Sequence, residues 1–127
     1  MKYLLDTHAA IWALEEKEKL SPKAKSVVED TKLTLYVSIV SAWEIAIKLS
    51  VGKLDFSGGS AFFLKEMQRN GISIINVDGT HIECVEKLPL LHRDPFDRLL
   101  VATAATEGMT LITIDENIHK YDVPILW

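Results

Sequence analysis

The sequence predicts an α/β domain with a mostly parallel central sheet, and three observations carry that expectation. Short runs of β-forming residues alternate with helical stretches almost throughout, as they do when strands are joined by crossover helices. Two of those runs end on an aspartate, Leu4-Leu5-Asp6 and Ile112-Thr113-Ile114-Asp115. The 127 residues contain no internal repeat, low-complexity tract or linker, which predicts one domain over residues 1–127 with room for a real core.

Tyr3-Leu4-Leu5 is a short apolar run and reads as a buried first strand. Thr7 to Leu14 follows as a helix, with Ile11 and Leu14 on one side and Trp12 beside them. Ser21-Pro22 restarts the helical pattern, serine as N-cap and proline at the first helical position, leading into Lys23 to Asp30. Leu33 to Ser38 is rich in β-formers and predicts the second strand. Ser41-Ala42-Trp43-Glu44 has the Ser-x-x-Glu form of a capping box, so a helix is expected from there to Val51, stopped by Gly52. Lys53 to Gly59 reads as loop.

Ala61 to Met67 predicts a further helix ended by Asn70-Gly71, and Ile72 to Val77 the third strand. Thr80-His81-Ile82-Glu83 repeats the capping-box form and opens a short helix ending near Leu88-Pro89. In His92-Arg93-Asp94-Pro95-Phe96-Asp97-Arg98, Asp94 is the expected N-cap and Pro95 the first helical residue. That puts Asp97 at the third helical position, at the mouth of a helix that is apolar from Leu99 on and closes at Glu107-Gly108. Thr110 to Ile114 predicts a fourth strand. Val123 to Trp127 predicts a last one, confined to a sheet edge by Pro124.

Composition excludes several classes. With 48% hydrophobic and 25% charged residues the chain is ordinary for a globular protein, and nothing approaches the ~20 consecutive apolar residues of a membrane helix. Asp6 stands where a signal peptide would still be apolar, and Cys84 is alone, so a cytoplasmic protein is the simplest expectation. The net charge of −4 argues against a broadly basic nucleic-acid surface, unless the acids are gathered where cations bind them.

Four acids fit such a gathering. In an open parallel sheet, ligands bind beyond the carboxyl ends of the strands. Asp6 and Asp115 follow strands directly, and Glu44 and Asp97 are expected to begin helices on the same edge. Four carboxylates on one rim repel one another unless a cation joins them. All-oxygen ligands suit Mg²⁺ or Mn²⁺, and such an ion stabilises the charge of a phosphoryl transition state. Each acid alone also has a plainer explanation as a cap or as an acid at a positive helix end, worth about 0.3–1 kcal/mol. For Asp94 the cap is the preferred reading. Lys48 is expected to be an i,i+4 partner of Glu44, and Arg98 either a solvated salt-bridge residue or a phosphate contact. Contact of His92 or Arg93 with phosphate is a further reading of that stretch. Trp43, Phe62, Phe63 and Phe96 are expected to pack in the core.

At these residues the chain resembles the PIN-domain ribonucleases, and in particular the VapC-type toxins of bacterial toxin–antitoxin pairs. The likeness rests on Leu4-Leu5-Asp6-Thr7-His8, Ser41-Ala42-Trp43-Glu44-Ile45, Arg93-Asp94-Pro95-Phe96-Asp97-Arg98-Leu99-Leu100 and Leu111-Ile112-Thr113-Ile114-Asp115, in that order along essentially the whole chain. The resemblance implies a PIN-like three-layer α/β/α sandwich and endonucleolytic cleavage of RNA that depends on Mg²⁺ or Mn²⁺. It also implies a cognate antitoxin protein and a homodimer. Asp6, Glu44, Asp97 and Asp115 match the family's acidic quartet; Asp97 rather than Asp94 has the right spacing to the Leu-Val-Ala-Thr-Ala run. Thr113 is similar to a polar position near family sites. The expected roles are Asp6 and Asp97 as principal metal ligands, Asp115 completing the site directly or through water, and Glu44 holding a second ion or orienting the attacking water. Two alternatives remain open at this point. One is a catalytically idle PIN-like module acting through protein or RNA binding, with Phe62, Phe63, Leu64 and Met67 as an exposed patch. The other is an aspartyl-nucleophile phosphatase, which lacks its usual second acid because that position is His8.

Overall fold

The computed structural model describes residues 1–127. Five strands, β1 (Lys2–Leu5), β2 (Thr34–Ser38), β3 (Ser73–Ile75), β4 (Thr110–Ile112) and β5 (Ile125–Leu126), form one sheet in the order β3-β2-β1-β4-β5. Every pairing is parallel. Six helices cover it: α1 (Thr7–Glu15), α2 (Pro22–Glu29), α3 (Ile39–Ser50), α4 (Gly59–Arg69), α5 (Gly79–Lys87) and α6 (Pro95–Glu107). The expected α/β architecture is present, and β5 is the edge strand that Pro124 requires. No helix is long and apolar enough to cross a membrane.

The period-2 alternation of the strands divides the core between the two faces of the sheet. Tyr3, Leu5, Leu35, Val37 and Ile112 pack with Ile11, Ile45, Phe63 and Met67 from α1, α3 and α4. Leu4 and Leu111 point the other way, onto Leu100, Val101 and Ala104 of α6 and onto Met109, Ile118 and Tyr121. Strand order reverses at β1, whose neighbours are β2 on one side and β4 on the other. The crevice at such a switch point, beyond the carboxyl ends of the strands, is where an open parallel sheet presents ligand-binding residues.

Two helix starts differ from the sequence expectation. The N-cap of α3 is Ser38, whose Oγ accepts from the Val40 N–H at 3.0 Å, so Ser41 and Glu44 lie inside the helix rather than at its mouth. The N-cap of α5 is Asp78, and His81 rather than Glu83 completes its capping box: Asp78 Oδ1 accepts from the His81 N–H, and the Asp78 N–H donates to His81 Nδ1 at 3.2 Å. With Nδ1 accepting, the ring proton is on Nε2, which donates to Glu107 Oε2 at 3.0 Å and ties the start of α5 to the end of α6. Asp78, His81 and Glu107 thus gather as a capping device with both ring nitrogens in use.

The start of α6 is as predicted. Asp94 Oδ1 accepts from the Phe96 and Asp97 N–H groups at 2.8 and 3.1 Å, Pro95 is the first helical residue, and Gly108 at φ 68° ends the helix. Strand β4 is shorter than expected and stops at Ile112, leaving Thr113 to Asp115 as a loop.

Because Ser38 rather than Ser41 caps α3, Ser38→Ala should destabilise the fold by about 1 kcal/mol. A denaturant melt that does not move would return the cap to Ser41.

Candidate active site

Asp6 follows β1, and its backbone N–H donates to the Ile112 carbonyl across the β1–β4 pairing at 3.1 Å. Its Oδ1 caps α1 through the Ala9 N–H at 2.8 Å. The side chain is only 5% exposed, and that burial pushes its carboxyl above the ordinary carboxylate range; the Thr113 hydroxyl and the Ala9 N–H pull the other way. The Thr113 Oγ1 also accepts from the Asp115 N–H at 3.0 Å, so this buried threonine stands between the two acids. Asp115 is the most open of the set. Its Oδ1 accepts from the Asn117 N–H at 2.7 Å, and its backbone carbonyl starts a short 3₁₀ turn over Ile118–Lys120.

Asp97 sits in the first turn of α6 as expected. Burial and the charges of Asp94, Glu44, Asp115 and Asp6 raise its carboxyl from 3.8 to about 7. The four acidic neighbours act in the same direction as burial, which is the larger cause.

Glu44 reaches the cleft from the interior of α3 and is 2% exposed. Its Oε1 accepts from the Thr7 hydroxyl at 2.6 Å, and that hydroxyl shares a further 2.9 Å hydrogen bond with Ser41. Its Oε2 is paired with Lys48 Nζ at 2.6 Å. The expected i,i+4 pair is therefore present, buried at the acid end.

Asp6, Glu44, Asp94, Asp97 and Asp115 all line a single cleft of about 370 Å³, together with Thr7, His8, Lys48 and His92. The structure thus brings the four sequence-predicted acids together and adds Asp94 beside them. A larger groove of about 640 Å³ runs between α1 and α4, past Leu14, Phe56 and Phe62, and carries none of these acids.

His92 is the residue for which the structure differs most from expectation. Its Nε2 lies 2.9 Å from Asp97 Oδ2 and 3.5 Å from Asp115 Oδ2, while Nδ1 faces the Asp94 N–H. It touches the acids themselves. The Tyr121 hydroxyl holds the loop that carries it, accepting from the Leu91 and His92 N–H groups at 3.2 and 3.1 Å. Arg98 is neither solvated nor aimed at the cleft. Its guanidinium donates to the Pro89 and Val85 carbonyls and to Tyr121, pinning the same loop. Neither contact was legible beforehand, because Tyr121 is 29 residues away from His92 in the chain.

The aromatic residues divide. Phe63 and Met67 are fully buried, as the core reading expects and the alternative of an exposed patch does not, whereas Phe62, also expected in the core, is 44% exposed at the rim of the larger groove. Trp43, expected in the core, is 58% exposed and meets Phe96 edge-on at 4.9 Å. With Ile47 and Val51 it makes an exposed apolar stripe along α3.

The donor set fits a divalent cation. Every acid offers hard oxygen, the group carries far more negative than positive charge, and His92, Asp97 and Asp115 bring three ligand atoms within 4.8 Å of one another.

Comparison with known proteins agrees with this geometry. The PIN domain family matches residues 3–124. Ribonuclease VapC22 of Mycobacterium tuberculosis is 28% identical over 128 residues, spanning 96% of this chain and 95% of that protein. Ribonuclease VapC16 of the same organism is 37% identical over 60 residues, 46% of this chain and 43% of that one. Among solved structures, VapBC2 from Rickettsia felis, bound to a DNA fragment from its promoter, superposes with a TM-score of 0.72 over 99% of this chain and 98% of that one. At 16% identity that match speaks for the fold.

Two outcomes follow from the cleft. Tyr121→Phe removes the acceptor of two loop N–H groups and should cost about 1–3 kcal/mol in a thermal or denaturant melt; an unchanged melt would mean the loop is held elsewhere. Asp97 binds its proton more tightly in the folded chain than in the unfolded one, so its contribution to stability is present below pH 3.8 and is lost as pH rises through about 7. Metal-free Asp97→Asn protein should therefore be more stable than wild type at pH 8, by about 1–3 kcal/mol, and nearly equal to it at pH 4. Equal melting curves at pH 8 would show that the crowding is relieved in another way.

Proposed function

Because the chain belongs to the PIN-domain family, we propose that residues 1–127 form one PIN-like domain acting as a metal-dependent endoribonuclease, the toxin of a toxin–antitoxin pair. The convergence of Asp6, Glu44, Asp97 and Asp115 on one cleft at the β1/β4 switch point carries this reading. The near full-length likeness to a ribonuclease supports it. Acidity that counted against RNA binding when spread over the chain is concentrated here, since five carboxylates share the cleft.

The reaction is hydrolysis of an RNA phosphodiester: water adds to phosphorus, the bond to one ribose oxygen breaks, and that oxygen leaves with a proton. Asp6, Asp97 and Asp115 would hold a divalent ion, Mg²⁺ or Mn²⁺. When bound, such an ion offsets the charge of the phosphoryl transition state and acidifies a water beside it. The protein supplies the rest. The N-termini of α1 and α6 favour the ionised forms of Asp6 and Asp97 that a ligand needs. The Thr113 hydroxyl stands between Asp6 and Asp115, and the His92 Nε2–H donates to Asp97 and lies 3.5 Å from Asp115. Glu44, locked by Thr7 and Lys48, is a fixed negative group at the back of the cleft.

A protein antitoxin belongs to the same reading, and the groove past Leu14, Phe56 and Phe62 offers apolar surface for a partner helix. So does pairing with a second copy, for which the Trp43, Ile47 and Val51 stripe beside Phe96 is suitable apolar surface. A cytoplasmic setting follows from the RNA substrate.

Asp6→Asn and Asp97→Asn should each lower Mg²⁺- or Mn²⁺-dependent RNA cleavage by roughly 100-fold or more while leaving the circular dichroism spectrum intact. Sequencing the RNA ends after induction reads the substrate at the same time. Wild-type cleavage by purified Asp97→Asn protein would overturn the assignment.

A further inference from the structure

Lys48 stands one helical turn after Glu44 on α3, and its Nζ lies 2.6 Å from Glu44 Oε2. A surface i,i+4 pair holds two mobile side chains loosely. This pair differs in three respects. The Glu44 side chain is 3% exposed against 31% for Lys48, so the ammonium is anchored at a buried carboxylate and opens toward solvent on its other side. Both oxygens of Glu44 already have partners, Thr7 on Oε1 and Lys48 on Oε2. A second divalent ion at Glu44 would have to sit beside the Lys48 ammonium, and like charge opposes it there. Lys48 also lines the same cleft as Asp6, Asp97 and Asp115.

An ammonium has three protons, and Glu44 Oε2 uses one of them. The rest are available to an anion entering the cleft. A phosphodiester brings non-bridging oxygens whose charge grows as the phosphorus is attacked, and a fixed cation at that place stabilises the transition state more than the ground state.

We propose that Lys48 is a substrate-contacting residue of this site. Paired to Glu44, it supplies the positive charge that a second divalent ion would otherwise bring, donates to a non-bridging oxygen of the scissile phosphate, and leaves Asp6, Asp97 and Asp115 to hold a single ion. The substrate half of this inference rests on the nuclease reading above; the ion count does not.

The experiment is a calorimetric Mn²⁺ titration of wild type, Lys48→Gln and Lys48→Arg, run beside cleavage of an RNA oligonucleotide. Wild type should bind one Mn²⁺ per chain. Lys48→Gln, with Glu44 released, should bind two and should lose on the order of 100-fold in kcat with a smaller change in KM. Lys48→Arg should bind one Mn²⁺ and recover to within about tenfold of wild type, since charge and hydrogen bond are kept. Two Mn²⁺ bound by wild type, or wild-type cleavage by Lys48→Gln, overturns the proposal. The wild-type titration decides even if Lys48→Gln does not fold. If wild type cuts no RNA under any condition, the nuclease reading fails, while the Mn²⁺ count still tests whether Lys48 keeps a second ion out.

Discussion

Like-charge repulsion at the carboxyl ends of β1 and β4 is the constraint that the rest of the structure accommodates. Five carboxylates share one cleft, and burial together with the charges of the other four raises the Asp97 carboxyl to about 7. Such crowding is tolerated because the elements that carry the acids are anchored independently. Asp6 is fixed by β1 and by capping α1, and Asp97 by a helix whose Leu100, Val101 and Ala104 are fully in the core. Around the acids stand the few donors that limit the repulsion: the Thr7 hydroxyl and Lys48 ammonium on Glu44, the Thr113 hydroxyl toward Asp6, and the His92 ring on Asp97. Three of them are held by a second partner as well: Thr7 by Ser41, Thr113 by the Asp115 N–H and His92 by the Asp94 N–H.

What the sequence made legible was whatever depends on neighbours along the chain. Asp6 at the end of an apolar run, and Asp94-Pro95 before an apolar helix, announce their structure within a few residues. The two misread helix starts share one cause. A Ser/Thr-x-x-Glu pattern spans one helical turn, and the same spacing occurs at a helix start and within its interior. Ser38 and Asp78, just upstream, win the caps because they fall where the chain leaves extended backbone. For Glu44 this changed the route to the cleft without changing the destination, since a residue in the second turn of α3 still reaches Thr7 at the start of α1. His92 was not legible for the opposite reason. Its place beside Asp97 and Asp115 depends on Arg98 and Tyr121 shaping the preceding loop, and Tyr121 is distant in sequence.

The exposed aromatics show a second limit of pattern reading. Helix α3 is apolar on more than one side, and periodicity alone does not say which side meets the sheet. Ile45 and Ala42 take the core, which leaves Trp43, Ile47 and Val51 outside at i, i+4 and i+8. In α4 the outcome is reversed. Phe63 and Met67 enter the core at that same i, i+4 spacing, and only Phe62, one residue off, remains at the surface.

A carboxyl near neutrality is at first sight a poor metal ligand, since the ligand must be ionised. The direction of the coupling resolves this. Burial and neighbouring negative charge raise the cost of ionising Asp97, and a divalent cation cancels the larger part of that cost when it arrives. On the proposed reading a proton and an ion would compete for one crowded place, and binding of the ion would relieve the metal-free crowding. Glu44 differs from the others in that Lys48 already pairs with it, although its charge still reaches Asp97. Only Glu44 of the five carboxylates is paired with a lysine, so the cleft is asymmetric, and on the proposed reading a hard cation would settle toward Asp6, Asp97 and Asp115.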